Sequence, residues 1–297
     1  MGQSLLLRLA PAIFVVLWST GWIAARFAMP YAEPFTFLAL RYVLAAVLLA
    51  AICSAMSVEW PKEPKAIAHA MVAGVFINAI YLIGVWWSIM NGLPVSISGV
   101  ISALQPILTA LLAPYLVNEK ITRTQWMGVG LGFAGVAMVL SPALAQVPAG
   151  KLSEMLVPLA VNVFGMVGVT LGTFYQKKFV TGGDLRAVSA LQCVGAAIVL
   201  LPLAMATETM RIEWNLQVVL TMAWVVLGMS IGAVGLLLLL IREGAVSRAA
   251  ALIYLMPPMV ALQAAVLFGE RLSATQLLGM AITASGVALV VKKAEAK

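Results

Sequence analysis

The sequence predicts an all-α integral membrane protein with ten transmembrane helices, arranged as two inverted five-helix repeats. Three observations lead to this prediction. Hydrophobic residues make up 63% of the 297 positions and charged residues only 10%, whereas soluble domains are roughly 45–50% apolar. The apolar residues also fall into runs of about 20, the length that crosses the hydrocarbon core of a bilayer. Finally, the second half of the chain repeats the pattern of the first.

The repeat is clearest in two stretches that run from a proline through a glutamate to two glycines. The first stretch begins at Pro106 and contains Glu119, and the second begins at Pro257 and contains Glu270. The offset from Pro106 to Pro257 is 151 residues, and the glutamates and glycines keep the same offset. The sequence therefore predicts two units, residues 1–148 and 149–297.

Charged residues and Pro/Gly clusters separate the apolar runs into ten spans. The connections are short, so consecutive helices must be neighbours, and the longest connection joins the two halves. The first run could also be a signal peptide, but nine further runs favour an uncleaved first span. The predicted spans are about 10–28, 34–56, 66–89, 94–117, 124–142, 154–175, 185–206, 216–240, 248–268 and 275–291.

The basic residues are distributed unevenly between the two sides of this predicted bundle. With the N-terminus inside, 13 of the 18 Lys and Arg residues fall on the inner side, and only Arg26, Arg41, Lys151, Arg211 and Arg271 do not. The positive-inside rule then places both termini in the cytoplasm. Because five is an odd number of spans, the second half enters the membrane from the opposite side, which makes the repeat inverted.

Inverted repeats are typical of secondary transporters, in which two copies of one unit exchange conformations and open a central site to each side in turn. Every acidic residue falls in a predicted connection, a span end or a tail. A proton-coupled carrier usually keeps a titratable group on its route through the membrane. We therefore expect facilitated transport or exchange driven by substrate gradients.

Four segments of the sequence are distinctive when taken together: LWSTGWIAARFAM from Leu17, FLALRYVLAAVLLA from Phe37, NEKITRTQWMGVGLGFAGV from Asn118, and its repeat GERLSATQLLGMAITASGV from Gly269. In this order they resemble the drug/metabolite transporter superfamily and its EamA-type ten-helix exporters. The resemblance covers nearly the whole chain. It implies export of small metabolites across a bacterial-type inner membrane, with amino acids, including aromatic ones, as a prominent substrate class. A cationic drug, a nucleoside-type metabolite or a non-transport scaffold role in the same fold remain alternatives.

Uncharged polar residues inside spans are costly in lipid and usually face the bundle interior or a cavity. In span three, Asn78 and Tyr81 share a face with Gly74, Val85 and Ser88. In span four, Gln105 continues a stripe that includes Ser98, Ser102 and Thr109, just before Pro106 can loosen the helix. We expect Asn78, Tyr81 and Gln105 to line a substrate path, although interhelical hydrogen bonding would also explain the stripes.

Aromatic and amide side chains at mid-membrane depth complete the predicted substrate site. Trp18 and Trp22 stand one turn apart in span one and could form an aromatic wall for a ring or an ammonium group. Asn162, Phe164 and Tyr254 lie at comparable depth in spans six and nine. Plain packing is the alternative for each of these five residues.

Arg41 lies within span two and has three possible roles. It could reach the membrane surface, pair with Glu33, or attract a substrate carboxylate.

The sequence offers no basis for an enzyme, a metal site or a cofactor. One histidine and two cysteines inside apolar runs provide neither a catalytic triad nor a metal-binding set. The motif GLGFAG from Gly130 matches a dinucleotide fingerprint, but no strand precedes it and it lies in an apolar helix. The basic residues form no cluster with aromatics, which argues against nucleic acid. The expected partners are a small-molecule substrate and the lipid bilayer, and the sequence leaves the oligomeric state open.

Overall fold

A computed structural model describes residues 5–116, 122–145, 152–232, 235–236 and 256–291. In these ranges the chain folds into helices, with one isolated antiparallel bridge between Ala32 and Ile212. We number ten helical spans in chain order: α1 Leu5–Ala28, α2 Pro34–Ala55, α3 Pro64–Met90, α4 Val95–Leu116, α5 Arg123–Ala145, α6 Leu152–Phe179, α7 Leu185–Thr207, α8 Leu216–Gly232, α9 Met256–Phe268 and α10 Ala274–Val291.

These helices confirm the predicted all-α membrane fold. Six of the described helices are long and apolar enough to cross a membrane, and they correspond to α2 through α7. Helices α8, α9 and α10 contain shorter apolar segments, and the described residues stop close to the ends of α8 and α9. The observed bounds agree with the predicted spans to within a few residues where the chain is described.

Local sequence signals set several of the helix ends. Proline occupies the first turn of α2 and of α3, where its missing N–H costs no hydrogen bond. The side chains of Asp184 and Asn215 accept hydrogen bonds from the backbone N–H groups of Arg186 and Val218, and so cap α7 and α8. The connection after α3 turns at Gly92, whose φ of 92° suits glycine.

Two helices contain wide, π-helical turns at equivalent places in the two repeats. In α3 the π-helical segment is Val75–Ile80, and in α8 it is Trp224–Gly232. An offset of 151 residues, that of Pro106 and Pro257, places residues 75–80 within the α8 segment. π-helical turns are rare and often occur at functional sites. The sequence analysis did not predict them.

The two halves are related by a two-fold arrangement that can be read from equivalent helices. Helix α2 packs against its counterpart α7, and α5 packs against α10. In the second pair, a Cβ atom placed on Gly135 would lie 2.6 Å from the Gly279 carbonyl oxygen, and one on Gly286 would lie 2.7 Å from the Gly128 carbonyl oxygen. The two helices therefore run antiparallel. Gly279 is the counterpart of Gly128, and Gly286 is the counterpart of Gly135. The second contact is therefore the first with the two halves exchanged, as an inverted repeat requires.

The α2–α7 pair is antiparallel in the same way. The start of α2 lies at the end of α7, where Thr36 meets Glu208, and the end of α2 lies near the start of α7, where Met56 meets Arg186. The division of the chain at residues 148 and 149 remains a proposal, because residues 146–151 lie outside the described ranges.

Glycines spaced four residues apart bring helices together at two places. Gly128 and Gly132 meet Gly286, while Gly168 and Gly172 meet the π-helical segment of α3. Gly228 and Gly232, which have the same spacing, face only atoms of their own helix. Both cysteines, Cys53 and Cys193, are buried and free.

Candidate functional site

A small cavity lies near the midpoints of α1 and α4 and is bounded by both repeats. Its volume is about 40 Å³, measured as the space open to the centre of a water molecule. This is room for about three waters, well below the several hundred Å³ of a typical small-molecule site. The first repeat contributes Trp18, Trp22, Tyr81, Ser102, Ala103, Gln105 and Pro106, and the second contributes Met256, Pro257, Ala284 and Val287.

Aromatic rings form one wall of this cavity. Trp22 is only 3% exposed, and its ring meets Tyr81 edge-on with the ring centroids 6.5 Å apart. Trp18, one turn earlier in α1, is 38% exposed and lines the same cavity. Among the described residues no charged side chain lines the cavity, and the polar groups there are the indole, phenol, hydroxyl and amide groups of the first repeat.

A break in α4 turns backbone and side-chain polar groups toward the cavity. The α-helix stops at Ile101 and resumes at Leu104. Pro106 has no N–H to donate to the Ser102 carbonyl. The backbone N–H of Gln105 donates to that carbonyl instead, at 3.1 Å. The break lies just before the proline that was expected to loosen this helix.

A buried polar network lies beside the cavity and joins three helices of both repeats. The Ser98 hydroxyl accepts hydrogen bonds from Trp22 Nε1 at 3.1 Å and from Asn162 Nδ2 at 2.7 Å. Ser98 and Asn162 are both completely buried. Asn162 Oδ1 has no partner in the described parts of the chain. The network thus fixes the Trp22 ring and leaves one acceptor unused.

Gln263 of α9, in the second repeat, makes a similar buried polar contact with the first repeat. Gln263 Nε2 donates to the hydroxyl of the buried Ser19 at 3.0 Å, and Gln263 Oε1 is buried without a partner among the described residues. The sequence analysis did not single out Gln263, nor Met256, Pro257, Ala284 and Val287 as lining residues. The rule that found Asn162, an amide inside an apolar span, applies equally to Gln263. The four apolar lining residues carry no such signal.

Of the eight residues predicted to bind substrate, the structure brings four together at the cavity, places three outside its lining and does not describe one. Trp18, Trp22, Tyr81 and Gln105 line the cavity, and Asn162 reaches it only through Ser98. Asn78 lies in the π-helical segment of α3, outside the lining. Tyr254 lies outside the described residues.

Phe164 is separated from the cavity. It is 63% exposed, and it shares an exposed stripe of α6 with Val157, Ala160 and Leu171. Gly165, the next residue and about 100° further around α6, packs against α3. The helix therefore turns Phe164 toward the outside of the bundle, where an aromatic ring is stable in lipid.

One end of the α2–α7 pair is closed by two carboxylates, which we call the carboxylate clasp. Glu208 accepts hydrogen bonds from the backbone N–H groups of Phe35 at 2.9 Å and Thr36 at 2.7 Å. Glu33 accepts from the backbone N–H groups of Thr209 at 3.0 Å and Arg211 at 2.8 Å. Each carboxylate thus binds the chain of the other repeat. The Arg211 N–H, the largest contributor, holds the pKa of Glu33 below its ordinary value of 4.5.

The opposite end of the same helix pair has no equivalent clasp among the described residues. The counterparts of Glu33 and Glu208 are Asp184 and Ser57. Asp184 accepts hydrogen bonds from the backbone N–H and from the guanidinium of Arg186, within its own turn. The guanidinium bonds lower the pKa of Asp184. A surface groove of about 470 Å³ opens between the connection after α2 and the start of α7.

A second cap joins the repeats at the start of α4. Glu270 accepts hydrogen bonds from the backbone N–H groups of Val95 and Ser96, each at 3.1 Å. Glu270 therefore serves the fold by capping a helix of the other repeat. Its counterpart Glu119 lies outside the described residues.

An all-helical bundle of inverted repeats, with an uncharged cavity between the halves, has the architecture of a multi-pass membrane transporter. Comparison with known sequences agrees with this class. The sequence profile of the EamA-like transporter family matches residues 6–141 and matches again over residues 158–292. The chain belongs to the EamA-like transporter family.

Several relatives cover almost the whole chain at low identity. YvbV of Bacillus subtilis, described as an uncharacterized transporter, is 24% identical over 96% of this chain and 92% of its own length. YedA of Escherichia coli, described as an uncharacterized inner membrane transporter, is 24% identical over 96% of this chain and 91% of its own. A Salmonella typhimurium protein described as a probable amino-acid metabolite efflux pump is 22% identical over 93% and 91% of the two chains.

The fold itself also has a solved counterpart. One crystal structure matches with a TM-score of 0.69 and 19% sequence identity, and it covers 97% of this chain and 96% of that chain. At this identity the match shows the shared fold alone.

Proposed function

We propose that this protein is a secondary transporter that exports small metabolites, most plausibly amino acids and including aromatic or other neutral ones. The observation that carries the proposal is the cavity between the repeats, lined on one side by Trp18, Trp22, Tyr81 and Gln105 and on the other by apolar residues of α9 and α10. Aromatic rings and uncharged polar groups suit a substrate that has an apolar side chain and brings balanced charges of its own.

The mechanism we propose is alternating access between the two inverted repeats. A volume of about 40 Å³ is too small for an amino acid, so binding requires a second, wider state. Antiparallel pairs of equivalent helices allow the two repeats to exchange roles, which would open the cavity at the other end. In the proposed topology the carboxylate clasp lies on the outer side and both termini lie in the cytoplasm of a bacterial-type inner membrane.

The second candidate is export of a cationic drug or a nucleoside-type metabolite. Aromatic walls also bind cations, but no carboxylate lines the cavity in the described residues. The relative named as a probable amino-acid metabolite efflux pump supports the first candidate by analogy.

Flux measured in liposomes that contain the purified chain tests the proposal. We expect efflux of labelled neutral amino acids, phenylalanine among them, and loss of about tenfold or more in that flux for Trp22→Ala, because the ring forms a wall of the site. Trp126→Ala is the matched control, since Trp126 is 56% exposed on α5. No amino-acid flux by the wild-type chain, together with flux of a cationic dye or a nucleoside, would favour the second candidate.

A further inference from the structure

Arg41 is the one charged residue that is buried among the described residues. Its exposed fraction is 6%. It lies seven residues after Pro34, the first residue of α2, which is about 10 Å into the span. A charged side chain at this depth is costly, and such residues generally pair with a partner or serve transport. Arg41 therefore requires an explanation.

The structure removes two of the three roles open to Arg41. A side chain that reaches the membrane surface must be exposed, and that of Arg41 is enclosed by protein. Pairing with Glu33 is excluded as well, because the Glu33 carboxylate is occupied by Thr209 and Arg211. Within the described parts of the chain no carboxylate lies at salt-bridge distance from Arg41. Its Nε atom is buried without a hydrogen-bond partner there.

The surroundings of Arg41 join it to the candidate site. Its guanidinium carbon lies 5.1 Å from the centroid of the Tyr42 ring. Helix α2, which carries Arg41, packs against α7 and against the second half of α3. That half of α3 begins with Tyr81, which lines the cavity and contacts Trp22. The cation thus belongs to a helix that adjoins the aromatic wall.

The second repeat has no cation at the equivalent position. Gln192 occupies it, and its Nε2 atom donates to Gln176 Oε1 at 3.1 Å. The positive charge beside the site is therefore contributed by one repeat only, and a single monovalent anion would balance it. A guanidinium presents a planar fork of donors that matches the two oxygens of a carboxylate.

We propose that Arg41 binds the carboxylate of the transported molecule, so that the substrates are small molecules that carry a carboxylate beside an apolar or aromatic group. This proposal rests on the proposed transport function and narrows its substrate class. Movement of the Tyr81 ring as the cavity widens would bring the guanidinium into contact with the substrate. Cationic amines that lack a carboxylate would then be poor substrates, since Arg41 repels them.

Competition in liposomes that contain the full chain tests this assignment. The probes are labelled L-phenylalanine, with 3-phenylpropionate and phenethylamine as competitors that lack the amine and the carboxylate, respectively. For the wild-type chain we expect unlabelled L-phenylalanine and 3-phenylpropionate, which both carry a carboxylate, to compete about tenfold or more better than phenethylamine. Charge-assisted hydrogen bonds to the carboxylate supply that preference. Equal competition by all three overturns the proposal without any variant.

Variants separate binding by Arg41 from a structural role. Arg41→Gln places in the first repeat the residue found at Gln192, and we expect it to abolish the preference for carboxylates: both carboxylates should compete less well, and phenethylamine as well as or better than before, because its repulsion by Arg41 is gone. Arg41→Lys should retain part of the preference. Arg26→Gln, which removes an exposed cation at the end of α1, is the control and should behave as the wild-type chain.

The outcomes distinguish this proposal from the broader one. If Arg41→Gln weakens all three compounds equally, the residue serves the fold and the carboxylate assignment is wrong. If the wild-type chain transports phenethylamine and not the carboxylates, export of amino acids is wrong and the assignment falls with it. If Arg41→Gln does not fold, the wild-type competition still decides.

Discussion

At the residue scale, one hydroxyl organises the polar groups beside the cavity. Ser98 accepts from Trp22 and from Asn162, which belong to different repeats. Ser98 and Asn162 are completely buried and Trp22 is only 3% exposed, so a donor that loses this oxygen becomes a costly unsatisfied buried group. The orientation of the Trp22 ring, and hence the shape of the aromatic wall, follows from that single bond.

Replacement of the Ser98 hydroxyl tests this dependence. We expect Ser98→Ala to lower the free energy of unfolding by about 1–3 kcal/mol, because it leaves two buried N–H groups without an acceptor. The measurement is reversible unfolding in detergent micelles. Ser285→Ala is the control, since Ser285 is exposed and bonds only to its own helix. Equal effects of the two substitutions would contradict the central role of Ser98.

The carboxylate of Glu33 gives a second prediction at this scale, which concerns pH. Its hydrogen bonds lower its pKa in the folded chain, so the stability it contributes is present above its ordinary value of 4.5 and is lost as the pH falls through the lowered pKa. We expect Glu33→Gln to unfold at a lower temperature than the wild-type chain at neutral pH, with a difference that disappears in acid. The effect is small because the group is exposed.

Unfolding temperatures of the two chains between about pH 7 and pH 3 measure this difference. Glu59→Gln, at the opposite end of α2, serves as a control that removes the same charge outside the clasp. A difference between Glu33→Gln and the wild-type chain that grows toward acid pH would show that the clasp does not depend on the ionised carboxylate.

The sequence predicted part of the site because polar atoms inside a span carry a physical cost. That rule identified Tyr81, Gln105 and Asn162, and it extends to Gln263. That rule does not predict which way Phe164 faces, since an aromatic ring is stable both in lipid and in a protein interior. Only the helix rotation, set by Gly165 against α3, decides between the two.

At the element scale, the close approach of α5 and α10 depends on glycines. A Cβ atom on Gly279 would lie 2.7 Å from the Gly135 carbonyl oxygen and 2.9 Å from Met138 Cβ. Backbone atoms cannot move away cheaply, so a side chain at this position separates the helices. Gly130, on the same α5 helix, faces open space.

These two glycines make a matched pair of substitutions. We expect Gly279→Ala to destabilise the protein by about 1–3 kcal/mol through overpacking. Gly130→Ala should be neutral or stabilising by up to about 1 kcal/mol, because alanine has the higher helix propensity. Unfolding in detergent measures both. A neutral Gly279→Ala would show that the pair can separate without cost.

Helix positions followed from the sequence more readily than helix irregularities. Apolar runs and flanking Pro, Gly and charged residues predicted the spans, because the bilayer imposes their length. The break in α4 was foreseeable from Pro106. The π-helical segments were not, since neither contains a proline. The α3 segment packs against Gly168 and Gly172 of α6, a contact between helices that the local sequence does not reveal.

At the scale of the whole molecule, the duplication visible in the sequence predicted the inverted relation of the two halves, but neither the pairing of equivalent helices nor the difference between the two ends of the α2–α7 pair. That difference arises where the repeats diverge. Glu208 closes one end of the α2–α7 pair, and Ser57, its counterpart, cannot replace it at the other. A symmetric bundle with one clasp has a preferred state, closed at the clasped end.

Thiol labelling from one side of the membrane tests that preference. In a chain with Cys53→Ala and Cys193→Ala, a single Ser102→Cys reports on the cavity that Ser102 lines. A charged, membrane-impermeant maleimide applied from the clasped side should react slowly, and Glu33→Gln combined with Glu208→Gln should raise the rate several-fold, because loss of the charge-assisted bonds releases the helix ends. Glu59→Gln should leave the rate unchanged. If the double substitution has no effect, the clasp is a structural tie, and the barrier at that end must come from the packed helices themselves.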